Sequence, residues 1–337
     1  MEKCYTYDDV NIIPKYSEIR SRGEVSLDTK FTRRTRLSLP IVSAPMDTIT
    51  ESDMAIGMMS MGGVGVIHRF LSIEKQALEV ERTFQFWETI EPAFESEDEW
   101  LSVPICAAVG VTGDYLERSK ELAGAGCSVL LIDVAHGHHK NVGEAIEQIK
   151  KNIQGVEVIA GNIATGEAAH YLCENGADGI RAGIGNGSLC ETRIRTGVGI
   201  PTVSSLLDIT NITDRYGIPV IADGGVRSIG DVCKGLGCKA DSVMLGSLLA
   251  GTKETPGSIE KIGEWPNEQL FKKYRGSASL DSKHDRGEEK NVEGNHKVIP
   301  YKGKLKRIIH DIEDGIRSSF SYVGANDMEE FHSNCGF

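Results

Sequence analysis

Eight short apolar runs, each closed by glycine or a polar turn and most followed by a helix-like stretch, restrict this chain to very few folds. They are Leu39–Ser43, Gly63–Ile67, Val103–Ala107, Val129–Asp133, Val156–Ala160, Gly179–Ala182, Ile218–Ala222 and Ser242–Leu245. They are too short for helices and too continuous for half-exposed strands, so they predict buried parallel strands. Amphipathic stretches lie between them, among them Gly113–Ala125, Asn141–Asn152, Gly166–Asn175 and Ser228–Leu236. Strands alternating with helices predict an α/β chain, either a (β/α)8 TIM barrel or an open doubly wound sheet. Eight units in one chain favour the barrel, as a single domain over residues 1–337.

Two segments break the rhythm. Residues 84–100 are acidic and aromatic, and read as a short linker between the second and third units. Residues 272–303 are polar and predict a long irregular loop, the kind that often serves as a lid or binding loop. Beyond it, Leu305–Ser319 reads as a helix with Ile308, Ile309, Ile312 and Ile316 on its core face.

Composition narrows the function classes. The net charge of −12 disfavours nonspecific nucleic-acid binding, which cationic patches drive. A small anionic ligand stays open, because backbone N–H groups hold phosphate without net positive charge. No run of 18 apolar residues predicts a membrane span, and MEKCYTYDDV lacks the apolar core of a signal peptide. The expectation is a cytoplasmic protein whose eight cysteines are thiols. They form no CxxC pair, and Cys233 and Cys238 have no second pair to complete a zinc site.

In a barrel, chemistry collects beyond the C-terminal ends of the strands. Strand one ends in Ser43-Ala44-Pro45-Met46-Asp47, strand four in Asp133-Val134-Ala135-His136, and strand five in Gly161-Asn162. Strand six opens the loop Gly183-Ile184-Gly185-Asn186-Gly187-Ser188-Leu189-Cys190-Glu191-Thr192-Arg193. Its alternate glycines do not have the full spacing of a dinucleotide fingerprint; their carbonyls could instead face a monovalent cation. For any one cysteine a buried structural role is the ordinary reading. For Cys190 the glycine loop, Thr192 and Arg193 favour a nucleophile. Asp223-Gly224-Gly225 and Gly246-Ser247 end strands seven and eight, where barrels commonly bind phosphate. Aspartate beside that site suits a ribose diol. His136, His138 and His139 read as solvated loop residues rather than metal ligands.

Taken in order, these stretches resemble the IMP dehydrogenase/GMP reductase family over nearly the whole chain. The matching motifs are YTYDDVNIIP, SAPMDT, GNIATGE, GIGNGSLCETRIRTGVGIP, IADGGVR, VMLGSLLAG, YRG, VEG, PYKG and GIRSS. The resemblance implies a barrel that binds a purine nucleoside monophosphate (IMP, XMP or GMP) and NAD or NADP. Cys190 would add to purine C2, with Thr192 assisting proton transfer. Ser188, Gly225, Gly246, Ser247 and Tyr274 would contact phosphate and Asp223 the ribose, with Ser43, Met46, Gly224 and Gly276 on the same substrate side. Glu293 and Gly294 would read the purine edge, Glu293 partnering the threonine in a reductase. Asp133, Ala135, Asn162, Arg181 and Gly183 would face the nicotinamide. Carbonyls of Gly183, Gly185 and Cys190 would offer a potassium site, and the assembly would be a homotetramer.

Most dehydrogenases of the family carry a paired CBS regulatory insert where residues 84–100 stand, so the resemblance implies a form without it. Residues 275–299 match the mobile catalytic flap, where Arg286 would activate water. The flap lacks the tyrosine of the dehydrogenase Arg-Tyr pair, Asn186 stands where proline is common, and Ser277-Ala278 where methionine and glycine are common. The first expectation is an IMP dehydrogenase, the close alternative a GMP reductase, and a different class is a nucleotide-binding relative that is a sensor or acts on a modified purine.

Overall fold

The computed structural model describes residues 3–90, 104–263, 267–276 and 296–337. Eight strands pair in parallel and in chain order: β1 (Ile41–Ser43), β2 (Val64–Ile67), β3 (Cys106–Val109), β4 (Val129–Asp133), β5 (Glu157–Ile163), β6 (Gly179–Ala182), β7 (Val220–Asp223) and β8 (Ser242–Leu245). Val243 of β8 lies beside Ile41 of β1, which closes the barrel. The expected (β/α)8 fold is therefore the fold observed.

Period-two alternation explains why the strands read as continuous apolar runs. Val42, Val64, Val66, Val129 and Leu131 fill the barrel interior, while Ile41, Ile67, Leu130 and Ile132 pack outward under the helices. The covering helices are α1 (Ser52–Met59), α2 (Ile73–Ile90), α3 (Tyr115–Gly124), α4 (Lys140–Asn152), α5 (Gly166–Glu174), α7 (Thr202–Tyr216), α8 (Ile229–Gly237) and α9 (Leu305–Val323). A short α6 (Thr192–Thr196) sits in the loop after β6, and α10 (Met328–Asn334) ends the chain. In α4, Val142, Ala145, Ile146 and Ile149 make one buried stripe. In α9, Ile309, Ile312 and Ile316 are buried and Ile308 packs at the edge. Among the described residues no helix is long and apolar enough to cross a membrane.

The N-terminal mouth of the barrel is plugged. A two-stranded ribbon, Thr29–Lys30 against Arg36–Leu37, brings Phe31 and Leu37 into the interior cluster. Buried Glu157 accepts hydrogen bonds from the hydroxyls of Thr32 (2.5 Å) and Thr35 (2.7 Å) and from the Arg34 N–H (3.0 Å). A buried carboxylate is tolerable when its oxygens are satisfied in this way.

Three local readings differ from expectation. Strand β3 starts at Cys106, two residues past Pro104, which has no N–H to give a ladder; Val103 lies outside the described residues. The stretch from Phe84 begins inside α2, which runs to Ile90; Phe84 stacks on Trp87 with ring centroids 5.5 Å apart. The stretch from Lys272 is regular at both described ends: β9 (Glu260–Ile262), β10 (Gln269–Arg275) and β11 (His296–Pro300) form an antiparallel sheet beside the barrel. In β10, Lys272 and Tyr274 are buried and Lys273 is exposed, a strand alternation hidden by the charge of the inward lysine.

At the entry to β8, the Asp241 carboxylate accepts the Val220 N–H at 2.8 Å, and burial pushes its pKa up to about 7. The folded state thus holds this proton more tightly than the unfolded chain. Its stabilising contribution is complete below the ordinary value of 3.8 and is lost as pH rises through about 7. Asp241→Asn should therefore melt higher than the wild type at pH 8, the gap narrowing as pH falls toward 4.5. Thermal melts across that range check this; a gap independent of pH would remove the carboxyl as its cause.

Candidate active site

Within the four consecutive strands β4 to β7, three carry a charged residue toward the same end of the barrel. Asp133 ends β4, Arg181 lies in β6 and Asp223 ends β7. Arg181 donates to Asp133 Oδ1 at 2.6 Å and to Asp223 Oδ2 at 3.0 Å. Burial works against the guanidinium charge, but the two carboxylates outweigh it and hold the pKa above its usual value. Asn162 of β5 donates its amide to Asp223 Oδ2 at 2.7 Å and to the Gly183 carbonyl at 2.8 Å. Among the described residues the bonds to Asp223 fall on Oδ2 and none reaches Oδ1.

Above this floor opens a cavity of about 890 Å³. One side carries Ser188, Gly224, Gly225, Gly246, Ser247, Tyr274 and Gly276, with Met46 from the loop after β1. The other carries Asp133, Ala135, Asn162 and Arg181. Gly183, Gly185, Cys190 and Thr192 line the wall between them. The structure thus brings together almost every described residue singled out from the sequence. Ser43 is the exception: it is fully buried, bonds Thr50 Oγ1 at 2.8 Å and is absent from the wall. Its neighbour Ala44 lines the cavity instead, as consecutive strand residues face opposite ways. Arg286, Glu293 and Gly294 lie outside the described residues.

The glycine loop is shaped by close approach. A Cβ on Gly183, whose φ is +142°, would sit 1.8 Å from the Asp223 carbonyl oxygen. No other residue fits there. Asn186 ties the loop by donating to the Ile200 carbonyl at 2.8 Å. Ser188 and Tyr274 hydroxyls meet at 3.2 Å, joining this loop to β10. Burial pushes the Tyr274 phenol up, against the opposing effect of the Ser188 bond.

Cys190 stands apart from the five buried cysteines. Cys106, Cys127, Cys173, Cys233 and Cys238 are buried. Burial pushes Cys127 and Cys238 up to about 12, and Cys173 and Cys233 up to about 11. Such thiols are poor sources of thiolate. Cys190 is only half-buried, lines the cavity, and its thiol donates to Thr192 Oγ1 at 3.2 Å. Arg193, expected beside it, is exposed.

Sequence reasoning missed the loop after β2. Arg69 and Phe70 line the cavity on the Asp133 side, with Arg69 Nε 3.6 Å from Asp133 Oδ2 and its guanidinium 5.1 Å from the Phe70 ring. The rule that found the other loops, reading beyond each strand, finds this one in His68-Arg69-Phe70. The histidines after β4 do not gather into a metal cluster: His139 caps α4 by accepting the Asn141 N–H, and among the described residues no group of three or more His, Cys, Asp or Glu could hold a metal ion.

Fold and site define a class: a (β/α)8 barrel whose strand-end cavity sets a reachable cysteine between a glycine-rich face from strands seven and eight and a charged face from strands four to six. The chain belongs to one family of that class, matching over residues 4–337 the domain described as IMP dehydrogenase / GMP reductase. It is 37% identical to inosine-5'-monophosphate dehydrogenase of Cryptosporidium parvum, over 97% of this chain and 90% of that one. It is equally 37% identical to the enzyme of that name from Borreliella burgdorferi, over 100% and 94%. Identity is 33% to the enzyme of that name from Nitrosopumilus maritimus, over 98% and 94%.

Removing the central cation should leave Asp223 with no cationic partner and Asp133 with only the longer Arg69 contact, in a largely buried place. Arg181→Met is expected to lower unfolding free energy by about 3–5 kcal/mol. Urea denaturation checks this, and a loss below about 1 kcal/mol would mean that the carboxylates find other partners.

Proposed function

We propose that this chain is a purine nucleoside monophosphate oxidoreductase working at C2 through a covalent bond to Cys190, and that it acts as an IMP dehydrogenase. The observation that carries the reading is the Cys190–Thr192 pair in one cavity with the Ser188–Tyr274 contact and the Asp133–Arg181–Asp223 network. The named relatives support the same direction.

In this reading the N–H groups of Gly225, Gly246 and Ser247, with the hydroxyls of Ser188 and Tyr274, hold the phosphate. Backbone N–H groups suit a dianion in a protein of net negative charge. Asp223 offers Oδ1 to the ribose diol while Arg181 and Asn162 hold its other oxygen. Purine C2 then faces Cys190. The thiol proton passes toward Thr192, and the thiolate adds to C2. Hydride leaves C2, water adds to the resulting thioimidate carbon, and the thiolate departs to give XMP. The nicotinamide cofactor, when bound, accepts the hydride; Asp133, Ala135, Asn162 and Arg181 would hold it, and the Phe70 ring in the same wall suits a planar partner.

The Gly183 carbonyl already accepts the Asn162 amide, so it fits a potassium ion less well than its glycine neighbourhood suggests, and no step runs through a cation. Residues 84–100 stand in this reading where a CBS insert would lie. The alignment to the Nitrosopumilus enzyme runs over 454 positions, against a chain of 337 residues. A homotetramer belongs to the same reading: Ile194 and Val198, 79% and 58% exposed just past Cys190, are apolar side chains a second copy would cover.

Absorbance at the reduced-nicotinamide band tests the direction. IMP with NAD and potassium should give a rise, lost in Cys190→Ala. A fall with GMP and NADPH instead would make the chain a reductase, and silence in both would leave a modified purine or a binding role. Iodoacetamide should also label Cys190, and IMP should protect it.

A further inference from the structure

Among the described residues Lys272 and Lys302, like Lys234, bond only to main-chain carbonyls. Lys272 is 2% exposed, and its ammonium donates to the carbonyls of Thr252 (3.2 Å), Lys253 (3.5 Å) and Thr255 (2.5 Å). Lys302, an exposed residue, donates to the carbonyls of Ser247 (3.0 Å) and Leu248 (2.9 Å). Among the described residues neither has a carboxylate at ion-pair distance.

All five acceptors lie in the segment that follows β8. That segment begins as a turn, with the Leu249 and Ala250 N–H groups bonded to the Gly246 carbonyl. Its first residues, Gly246 and Ser247, line the cavity, and its later carbonyls receive the two lysines. For Lys302 the bonds run in series to the cavity: it holds the Leu248 carbonyl, the Leu249 N–H of that peptide group bonds the Gly246 carbonyl, and the N–H of that next group is that of Ser247, so each bond polarises the next. Lys272 bonds further along and acts by holding the segment to β10. The lysines come from the sheet beside the barrel, Lys272 from β10 and Lys302 from just past β11. Backbone bonds join the same two segments in both directions: Lys302 N–H to the Gly251 carbonyl at 2.8 Å, and Lys253 N–H to the Gly303 carbonyl at 2.8 Å. Two residues beyond Lys272 on the same strand face is Tyr274, whose hydroxyl meets Ser188 in the cavity. A buried lysine without a carboxylate partner is costly, and burial lowers its pKa. A simple core contact at this position would be served better by leucine or methionine.

We infer that Lys272 is a positioning residue for the phosphate end of the site. With Lys302 it clamps β10 to the loop after β8, which places the Tyr274 hydroxyl opposite the Gly246–Ser247 turn and biases that turn toward a phosphate dianion. This rests on the phosphate reading of strands seven and eight given above.

The test compares a nucleotide with its nucleoside. Dissociation constants for IMP and inosine are measured calorimetrically on the full-length wild type, Lys272→Met, Tyr274→Phe and the double variant. Lys272→Met should weaken IMP about tenfold, the size of one hydrogen bond lost when the Tyr274 hydroxyl and the Gly246–Ser247 turn are no longer held opposite each other, and leave inosine unchanged. In the Tyr274→Phe background the same change should cost clearly less, because the two residues act together. Equal weakening of IMP and inosine, or none of either, would overturn the assignment. If the wild type itself does not prefer IMP to inosine, the phosphate reading fails, and this inference with it. Should Lys272→Met not fold, Lys302→Met at its exposed position gives the same comparison: selective loss of IMP supports the clamp, and an unchanged ratio overturns it.

Discussion

The guanidinium of Arg181, held between Asp133 and Asp223, is the interaction on which the site is built. Three charges inside a barrel are expensive to desolvate, and such a group is tolerable only when every member is bonded. Here β4, β6 and β7 each supply one member, with Asn162 of β5 closing the set. The arrangement requires those strands to be in register and β6 to lie between the two carboxylates. It also brings the backbone after Arg181 so near the Asp223 carbonyl that residue 183 must be glycine. From Gly183 onward the loop that carries Ser188 and Cys190 departs at an angle the network has fixed. The same cation divides the cavity. Asp223 is presented to the side of strands seven and eight, and Asp133 to the side of strands two to five.

Much of this was legible in the sequence for a physical reason. Parallel strands are buried on both faces, so each appears as a short unbroken apolar run, and the function-bearing residues follow directly after it. The rule reached Asp133, Asn162, Gly183, Cys190, Asp223 and Gly246 without knowledge of which ones touch. The resemblance gave Ser43 where Ala44 lines the cavity, because a matching motif marks a strand end without showing which parity faces inward. The pattern of runs read Phe84 onward as linker, since aromatic residues among glutamates do not resemble a helix face until Phe84 is seen against Trp87. Strands β10 and β11 were hidden for a related reason. Lysine at 272, 273, 297 and 302 looks like solvated loop, and only the carbonyl cage around Lys272 shows that one of them faces inward. A polar residue made inward-facing by main-chain acceptors has no signature in apolar periodicity.

Selectivity among the cysteines follows from placement rather than from the residue type. Burial raises the thiols of Cys127, Cys173, Cys233 and Cys238 and so keeps them inert. Cys190 is only half-buried, in a loop whose following helix, α6, buries none of its own residues. That helix has little to hold it in one conformation, and the apolar anchor beside the thiol is Leu189, buried against Ile49, Ala250 and Tyr274. A nucleophile that must meet one carbon atom needs more order than that.

The connection from Ser188 to Tyr274 supplies a route to that order. Ser188 is two residues before Cys190, and its hydroxyl reaches the phenol of a strand fixed to the barrel by Lys272. A phosphate bound between Ser188, Tyr274 and the turn after β8 would hold the loop at a point close to the thiol. Contact energy gained at the unreactive end of the ligand would then go into ordering the reactive end, and would appear in turnover as well as in affinity. On this argument a nucleoside should react poorly even at saturation, because it would occupy the purine position without the group that steadies Cys190.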